Sequence, residues 1–234
     1  KIDITNSRAI DVLIELLCVS PYEETRRKVA WSLEIGEIGS GNFQVLKALI
    51  NLINNSCDEE THRQAVSSLG KIGSGNQEAI SAIINLINNS CDEATRRQAI
   101  SSLGKIGTGN LQAISTLISL IDNCLDEATR CQAASNLAQI DCGNPVAITA
   151  LFDLLSNSQR SYRQATQALV EILRGNLCSC SIVVSRLRDL ISIDYKNDFN
   201  RYKACYEVIW HCAQNMAYPD FYQSWHQRNI HQRG

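Results

Sequence analysis

Apolar residues recur at intervals of three and four along most of the chain, which is the period of an α-helix lying on a core. Residues 77–89 show the pattern clearly, with Ile80, Ile83, Ile84 and Ile87 on one stripe. No segment alternates strictly between apolar and polar residues, as a half-buried strand would. The pattern therefore predicts an all-α protein.

The helical pattern repeats about every 34 residues. Residues 43–76 align without gaps on 77–110, with about 24 of 34 positions identical. Five copies are predicted, at 7–42, 43–76, 77–110, 111–144 and 145–176, followed by a diverged sixth helix pair at 177–216 and a tail at 217–234. A single helix pair cannot bury its own apolar face, so stacked copies predict a right-handed α-solenoid of about six helix pairs.

The stretch SLGKIGSGN, residues 68–76, has the glycines and lysine of a phosphate-binding loop but recurs between copies. A phosphate loop joins a strand to a helix, whereas this stretch ends one helix and precedes another. We therefore interpret it as a joint, with Gly73 in the left-handed position after a helix and Gly70 allowing close packing. An asparagine closes each joint and is predicted to cap the next helix: Asn42, Asn76, Asn110, Asn144 and Asn176. Pro145 is predicted at a first helical position.

The turn inside each copy carries a serine followed three residues later by glutamate, a spacing typical of a capping box. The pairs are Ser20 and Glu23, Ser56 and Glu59, and Ser90 and Glu93. Pro21 would then stand at the first helical position. Because Cys124 replaces the serine in the next copy, we predict a weaker turn there.

Composition narrows the functional classes. The chain of 234 residues is 44% apolar with a net charge of -2, which argues against a general nucleic-acid or anionic-membrane binder. No apolar run is long enough for a transmembrane helix, and no signal peptide is recognisable. Ten cysteines lie mostly inside helical patterns, and Cys205 and Cys212 have core spacing. These features favour a reduced, cytoplasmic protein.

The sequence gives little indication of a metal site or of catalytic residues. Cys178, Cys180, Cys205, His211 and Cys212 could be assembled into a ligand set, but no Cys-x-x-Cys pair is present and Cys205 and Cys212 suit the core. Four histidines show no recurring pattern with serine, cysteine or aspartate. We therefore predict no catalytic residues, no metal and no cofactor.

The phrase DEATRRQAISSLGKIG, residues 92–107, resembles HEAT-type repeats of the short phycobilisome-lyase form, and the resemblance covers roughly residues 7–176. The stretch from Tyr202 to His226 resembles the tail that follows such repeats in cyanobacterial NACHT-family NTPases of the STAND class. That resemblance implies an NTPase module upstream, with these repeats as its sensor arm. The Walker motif itself is absent from this sequence.

The HEAT resemblance also implies a ladder in which an aspartate and an arginine of each copy bridge neighbours. The matching residues are Asp58, Asp92, Asp126, Arg27, Arg63, Arg97 and Arg163, with Cys131 leaving a gap. We interpret the ladder as structural, because partly buried charges are usually paired.

One position before each ladder arginine lies a more variable row. We predict that it is exposed on the concave side of the second helices, extended by two lysines: Arg26, His62, Arg96, Arg130, Tyr162, Lys71 and Lys105. The row could meet an acidic partner or a phosphate backbone. Alternatively, each cation answers nearby acids on its own helix, as Arg96 could answer Asp92.

Aromatic residues concentrate near the carboxyl end, at Trp210, Tyr218, Phe221, Tyr222 and Trp225. They could form a cap that seals the end of the stack or a docking surface for a partner. We interpret the chain as a non-enzymatic scaffold that binds a protein, in the family context a NACHT-type sensor arm. A phycobilin lyase subunit or bilin-related chaperone and a nucleic-acid-binding solenoid are the alternatives.

Overall fold

The computed structural model describes residues 7–35, 41–141, 144–157, 162–175, 179–194 and 198–226, and these residues form helices and no strand. Within them six helix pairs and one further helix follow in order: α1 Ser7–Val19, α2 Glu23–Ile35, α3 Phe43–Asn55, α4 Glu59–Ile72, α5 Gln77–Asn89, α6 Glu93–Ile106, α7 Leu111–Asn123, α8 Glu127–Ile140, α9 Pro145–Asn157, α10 Tyr162–Gly175, α11 Cys180–Asp194, α12 Phe199–Asn215 and α13 Tyr218–His226. The all-α prediction is confirmed.

The chain folds as two compact units, residues 1–116 and 117–234. In the first unit the two helices of each pair pack together, α1 packs on α3 and α3 on α5, and α2 packs on α4 and α4 on α6, with the α4–α6 contact more extensive than the α3–α5 contact. Leu49, Leu69 and Leu103 are fully buried in this stack. Full burial of one such side chain contributes roughly 1.5–3 kcal/mol, so the repeated leucines are a main source of stability.

Small residues let the second helices of the first unit approach closely. A Cβ atom added at Gly70 in α4 would lie 2.6 Å from Ser102 Oγ and 3.1 Å from Ser102 Cα in α6. The predicted close packing at Gly70 is therefore confirmed, and a side chain there would force the helices apart.

In the second unit α8, α9 and α10 pack together, α10 contacts α12, and α11 pairs with α12. The two helices predicted in the sixth pair are present as α11 and α12. The tail predicted at 217–234 contains a helix that the sequence analysis did not predict, α13, which packs on α11 and α12. None of the described helices is long and apolar enough to cross a membrane.

The joints are capped as predicted by asparagine. The side-chain oxygens of Asn42, Asn76, Asn110 and Asn144 accept hydrogen bonds from backbone N–H groups in the first turn of the next helix. Pro145 is the first residue of α9, and Asn176 lies outside the described residues.

The left-handed glycine of the joint was assigned to the wrong position. Gly73 has φ −94°, whereas Gly75 has φ +71°, as do Gly41 and Gly109. Gly73 is needed for space instead, because an added Cβ would lie 2.6 Å from the Leu69 carbonyl oxygen. The left-handed residue is therefore Gly75, two residues later than predicted. The residue after it is the asparagine cap, whose backbone is already extended.

The predicted capping boxes are wrong. Aspartate caps the second helices: Asp58, Asp92 and Asp126 accept hydrogen bonds from the backbone N–H three residues on, at 2.8, 2.7 and 2.8 Å. Ser56 and Ser90 instead end the preceding helices. Pro21 lies before α2, which begins at Glu23. Because Asp126 caps α8 regardless of Cys124, the reason for a weaker turn there disappears.

Candidate interaction surfaces

The ladder side chains of the first unit meet across neighbouring pairs. Arg63 Nη1 lies 2.9 Å from Asp92 Oδ2, and Arg27 Nη1 lies 3.3 Å from Asp58 Oδ2. Each of these aspartates is also the cap of its helix. One carboxylate therefore caps the start of a helix and also joins two repeats, which gives it a structural role.

Hydrogen bonding favours the ionised form of these carboxyl groups. The hydroxyl of Thr61 donates to Asp58 and is the main cause that lowers the pKa of Asp58, with the backbone N–H of Thr61 and the charge of Arg27 adding to it. Thr95 lowers the pKa of Asp92 in the same way. The ladder is therefore built for carboxylate at neutral pH.

The ladder changes character further along the chain. Arg97 and Arg163 are exposed. Cys131, at the predicted gap, is only 4% exposed, and burial raises the pKa of its thiol to about 11. A buried thiol held protonated packs as a small apolar side chain and is unreactive.

The predicted row of exposed cations is wrong for its central members, because Arg26, His62, Arg96 and Arg130 are half-buried. Three of them turn towards carbonyl oxygens near the end of the first helix of their own pair. His62 Nε2 lies 2.8 Å from the Ser56 oxygen, Arg96 Nη2 donates to Ser90 at 3.4 Å, and Arg130 Nε donates to Ile121 at 3.1 Å.

These bonds have a simple physical reason. The last carbonyl groups of a helix have no partner inside the helix and carry the negative end of its dipole, so a cation reaching them is stabilised. Acids on the same helix complete the pairing: Arg26 contacts Glu23, and Arg96 Nη1 lies 3.4 Å from Glu93 Oε2. Arg26 and Arg96 therefore fit the alternative prediction, in which each cation pairs with an acid on its own helix, better than the prediction of an exposed row. The spacing between cation and acid is three residues.

The remaining members of the row have separate environments. Lys71 Nζ lies 2.6 Å from Glu34 Oε1, a carboxylate that is itself buried between α2 and α4. Lys105 is exposed, and Tyr162 is half-buried at the start of α10. The set does not form one cationic surface.

Near the carboxyl end four aromatic rings form a row on α12, and three of them are exposed. Phe199, Tyr202, Tyr206 and Trp210 stack in sequence with centroids 6.2, 6.4 and 6.2 Å apart. Tyr206 and Trp210 are 47% and 54% exposed. Sequence reasoning found Trp210 alone, although the spacing of three and four residues could have revealed the row.

The aromatics of α13 divide between two faces. Phe221 and Trp225 stack at 6.1 Å and are half-buried, and the Trp225 carbonyl accepts a hydrogen bond of 2.8 Å from Arg188 of α11. The rings of Tyr218 and Tyr222 lie 6.1 Å apart in a tilted arrangement on another face and are 76% and 51% exposed. The predicted single cluster is therefore two rows, one packed against the unit and one open to solvent.

The cysteines of the same region are core residues, as predicted for Cys205 and Cys212. Cys180, Cys205 and Cys212 have no exposed surface. Burial is the main cause that raises the pKa of Cys212, and the neighbouring Cys180 adds to it. Across the described residues no group of three His, Cys, Asp or Glu side chains is arranged to hold a metal ion, and Cys178 lies outside them.

Two regions of the chain match models of known families. A model described as HEAT repeats matches residues 46–124 and 80–170, which together cover more than half of the chain. This chain belongs to the HEAT-repeat family. A second model, described as NACHT C-terminal Cysteine and Histidine-containing, matches residues 198–226, the segment of α12 and α13 that carries the exposed aromatic rows. The HEAT region is thus followed by a segment similar to the ends of NACHT proteins.

No curated protein matches this HEAT-repeat chain. One similar solved structure comes from the computational design of self-assembling cyclic homo-oligomers, with 18% identity, a TM-score of 0.20, and coverage of 94% of this chain and 75% of the other. Another is a de novo designed 16-helix transmembrane nanopore, with 21% identity, a TM-score of 0.19, and coverage of 89% and 62%. At such TM-scores neither likeness bears on function.

Proposed function

We propose that this chain is a non-enzymatic protein-binding scaffold and serves as the C-terminal interaction arm of a NACHT-type NTPase. The observation that carries the proposal is the order of two matches, HEAT repeats followed at 198–226 by the NACHT C-terminal segment. HEAT repeats present extended surfaces and have no chemistry of their own, so their usual task is recognition.

The surface offered for recognition is aromatic rather than cationic. Tyr206 and Trp210 of α12 and Tyr218 and Tyr222 of α13 are exposed, and they lie in the segment that matches the NACHT C-terminal model. Tyrosine and tryptophan concentrate binding energy at protein interfaces, because each brings a large rigid ring with little rotamer entropy to lose. The arginine row is less suited, since its central members are engaged within the chain.

Binding is tested by affinity capture from the host with the intact chain and two variants. Tyr206→Ser removes the centre of the α12 row, and Asp11→Asn is a matched surface control on α1. We expect a specific protein to be retained by wild type and Asp11→Asn and lost with Tyr206→Ser. Equal retention by all three, or ATP hydrolysis by the purified chain, would contradict the proposal.

The NACHT assignment is tested separately in the complete open reading frame. We expect it to encode a Gly-x-x-x-x-Gly-Lys-Ser/Thr motif before the repeats, because a STAND-class NTPase needs that loop to hold nucleotide phosphates. A complete frame without the motif would remove the NTPase part of the proposal and leave the scaffold part standing.

A further inference from the structure

A cavity of about 400 Å³ lies within the second unit, between the end of α7, the first half of α8 and one face of α9. Its volume falls within the roughly 300–1,000 Å³ of small-molecule sites. Five residues of α9 line it: Pro145, Val146, Thr149, Ala150 and Asp153. Ile121 and Asp122 of α7 and Arg130 of α8 face them.

Arg130 is held in place by one hydrogen bond and keeps other N–H donors for a ligand. Its Nε donates to the Ile121 carbonyl oxygen at 3.1 Å, which fixes the plane of the guanidinium group. In the first unit the equivalent arginines, Arg26 and Arg96, are paired with acids three residues earlier. Within the described part of the chain Arg130 has no such ion pair, so its two terminal nitrogens are available to a bidentate carboxylate.

The other polar side chains that line the cavity are two aspartates and a threonine. Asp122 and Asp153 are exposed, and no residue in the described ranges forms an ion pair with either of them. Thr149 Oγ1 accepts a hydrogen bond of 3.2 Å from Arg186, which leaves its own hydroxyl proton to donate. The lining therefore combines hydrogen-bond donors from Arg130 and Thr149, two carboxylates, and apolar side chains from Ile121, Val146 and Ala150.

We propose that this cavity binds a small dipolar molecule of the amino-acid class, with a carboxylate on Arg130, an ammonium group on Asp153, and an aliphatic side chain against the apolar wall. A ligand that is only an anion meets two carboxylates, and a ligand that is only a cation leaves Arg130 unpaired. A molecule with both charges gives Arg130 a carboxylate and Asp153 an ammonium group, so neither of its ends meets a like charge alone. The site is distinct from the aromatic rows and does not depend on the proposed scaffold function.

Three probes of the same shape separate the charges. L-valine carries both groups, isobutylamine lacks the carboxylate, and isovalerate lacks the ammonium group. Titration calorimetry with the intact chain is expected to detect valine and to show at least tenfold weaker binding of the other two, since each lacks one charge-assisted hydrogen bond. Binding of either single-charge probe as tight as valine, or no binding of valine at millimolar concentration, would overturn the proposal.

The site is located with charge-neutralising variants. Asp153→Asn keeps the shape of an exposed side chain on α9, and Asp11→Asn makes the same change on α1, whose residues do not line the cavity. We expect Asp153→Asn to weaken valine binding about tenfold and Asp11→Asn to leave it unchanged. Arg130→Gln, checked for folding by circular dichroism, is expected to abolish the preference for valine over isobutylamine. A preference that survives Arg130→Gln in a folded protein, or unaltered affinity of Asp153→Asn, would equally count against the assignment.

Discussion

The two central repeats and the carboxyl-terminal segment treat large apolar side chains in opposite ways. Among residues 43–110, which the structure describes throughout, Phe43 at the start of α3 is the one exposed large apolar side chain. In the segment 198–226, Phe199, Tyr206, Trp210, Tyr218 and Tyr222 are exposed. A central repeat has a neighbour on each side and must bury both faces of its helix pair. The last helices pack against fewer neighbours, so more of their apolar side chains stay exposed.

The difference also appears in the polar groups. In the central repeats the charged side chains stabilise helix ends and join repeats. Asp92 caps α6 and forms an ion pair with Arg63, and His62 lies against the end of α3. In the terminal segment aromatic rings also follow one another along the exposed faces of α12 and α13. Stability is thus expected to depend on the repeats and recognition on the terminal segment.

The largest expected effect is the loss of a core leucine in the central repeats. Leu69→Ala removes a side chain with no exposed surface and should lower the free energy of unfolding by about 2–5 kcal/mol, through lost burial and a cavity. Urea denaturation followed by circular dichroism measures it. A change below that of Trp210→Ala in α12 would reverse the comparison.

Gly70→Ala tests the close approach of α4 and α6. The added methyl would meet Ser102, and the strain should outweigh the gain in helix propensity, giving a net loss of about 1–3 kcal/mol. Ser102→Gly in the same chain should restore part of the loss in denaturation experiments. Additive effects of the two substitutions would show that the contact is not the cause.

Asn76→Ala tests the joint between repeats. The side-chain oxygen of Asn76 accepts from the Ala79 N–H at 2.9 Å, so its removal should cost roughly 1 kcal/mol of stability. Asn76→Asp keeps an acceptor and serves as the control, with unfolding close to wild type. If nucleotide binding changed while melting stayed the same, the interpretation of the joint as structure would fail.

Acid should weaken the ladder in a defined direction. Because hydrogen bonds from Thr61 lower the pKa of Asp58 in the folded state, the stabilisation is fully present above the ordinary aspartate pKa and is lost as the pH falls through the folded value. The stability difference between wild type and Asp58→Asn should therefore shrink from neutral to acidic pH. A difference that grows on acidification would refute this sign.

The smallest effect on stability is expected in the terminal segment. Tyr206→Ser removes an exposed ring of α12 and should change the free energy of unfolding by no more than about 0.5 kcal/mol. Thermal melting compared with wild type measures it. A loss as large as that of Leu69→Ala would mean that the aromatic row holds the fold together and is not chiefly a recognition surface.

Much of the fold was predictable because it depends on local signals. Apolar spacing and the recurrence of SLGKIG indicate the helix pairs, and Asn42, Asn76, Asn110 and Asn144 cap their helices as expected. Local signals competed at the inner turns, where Ser90 and Asp92 are both good capping residues. The choice of Asp92 follows from its second bond to Arg63, a partner in another repeat.

The candidate surfaces were harder to predict, because exposure is a property of neighbours. The variable row, including Arg96 and Arg130, reads as a surface stripe, yet these side chains turn to helix ends that lie several residues earlier. The aromatic residues near Pro219 read as one cluster, yet the helical turn of α13 sends Phe221 and Tyr222 to different faces.

The sequence by itself determined the helical repeat, its length, its asparagine caps and its family, since these follow from periodicity and from hydrogen bonds within a few residues. Only the tertiary structure decided which side chains remain available to a partner. A guanidinium group such as that of Arg130 can pair with an acid, a carbonyl group or a ligand, and the packing of α7, α8 and α9 around it decides which of these it can reach.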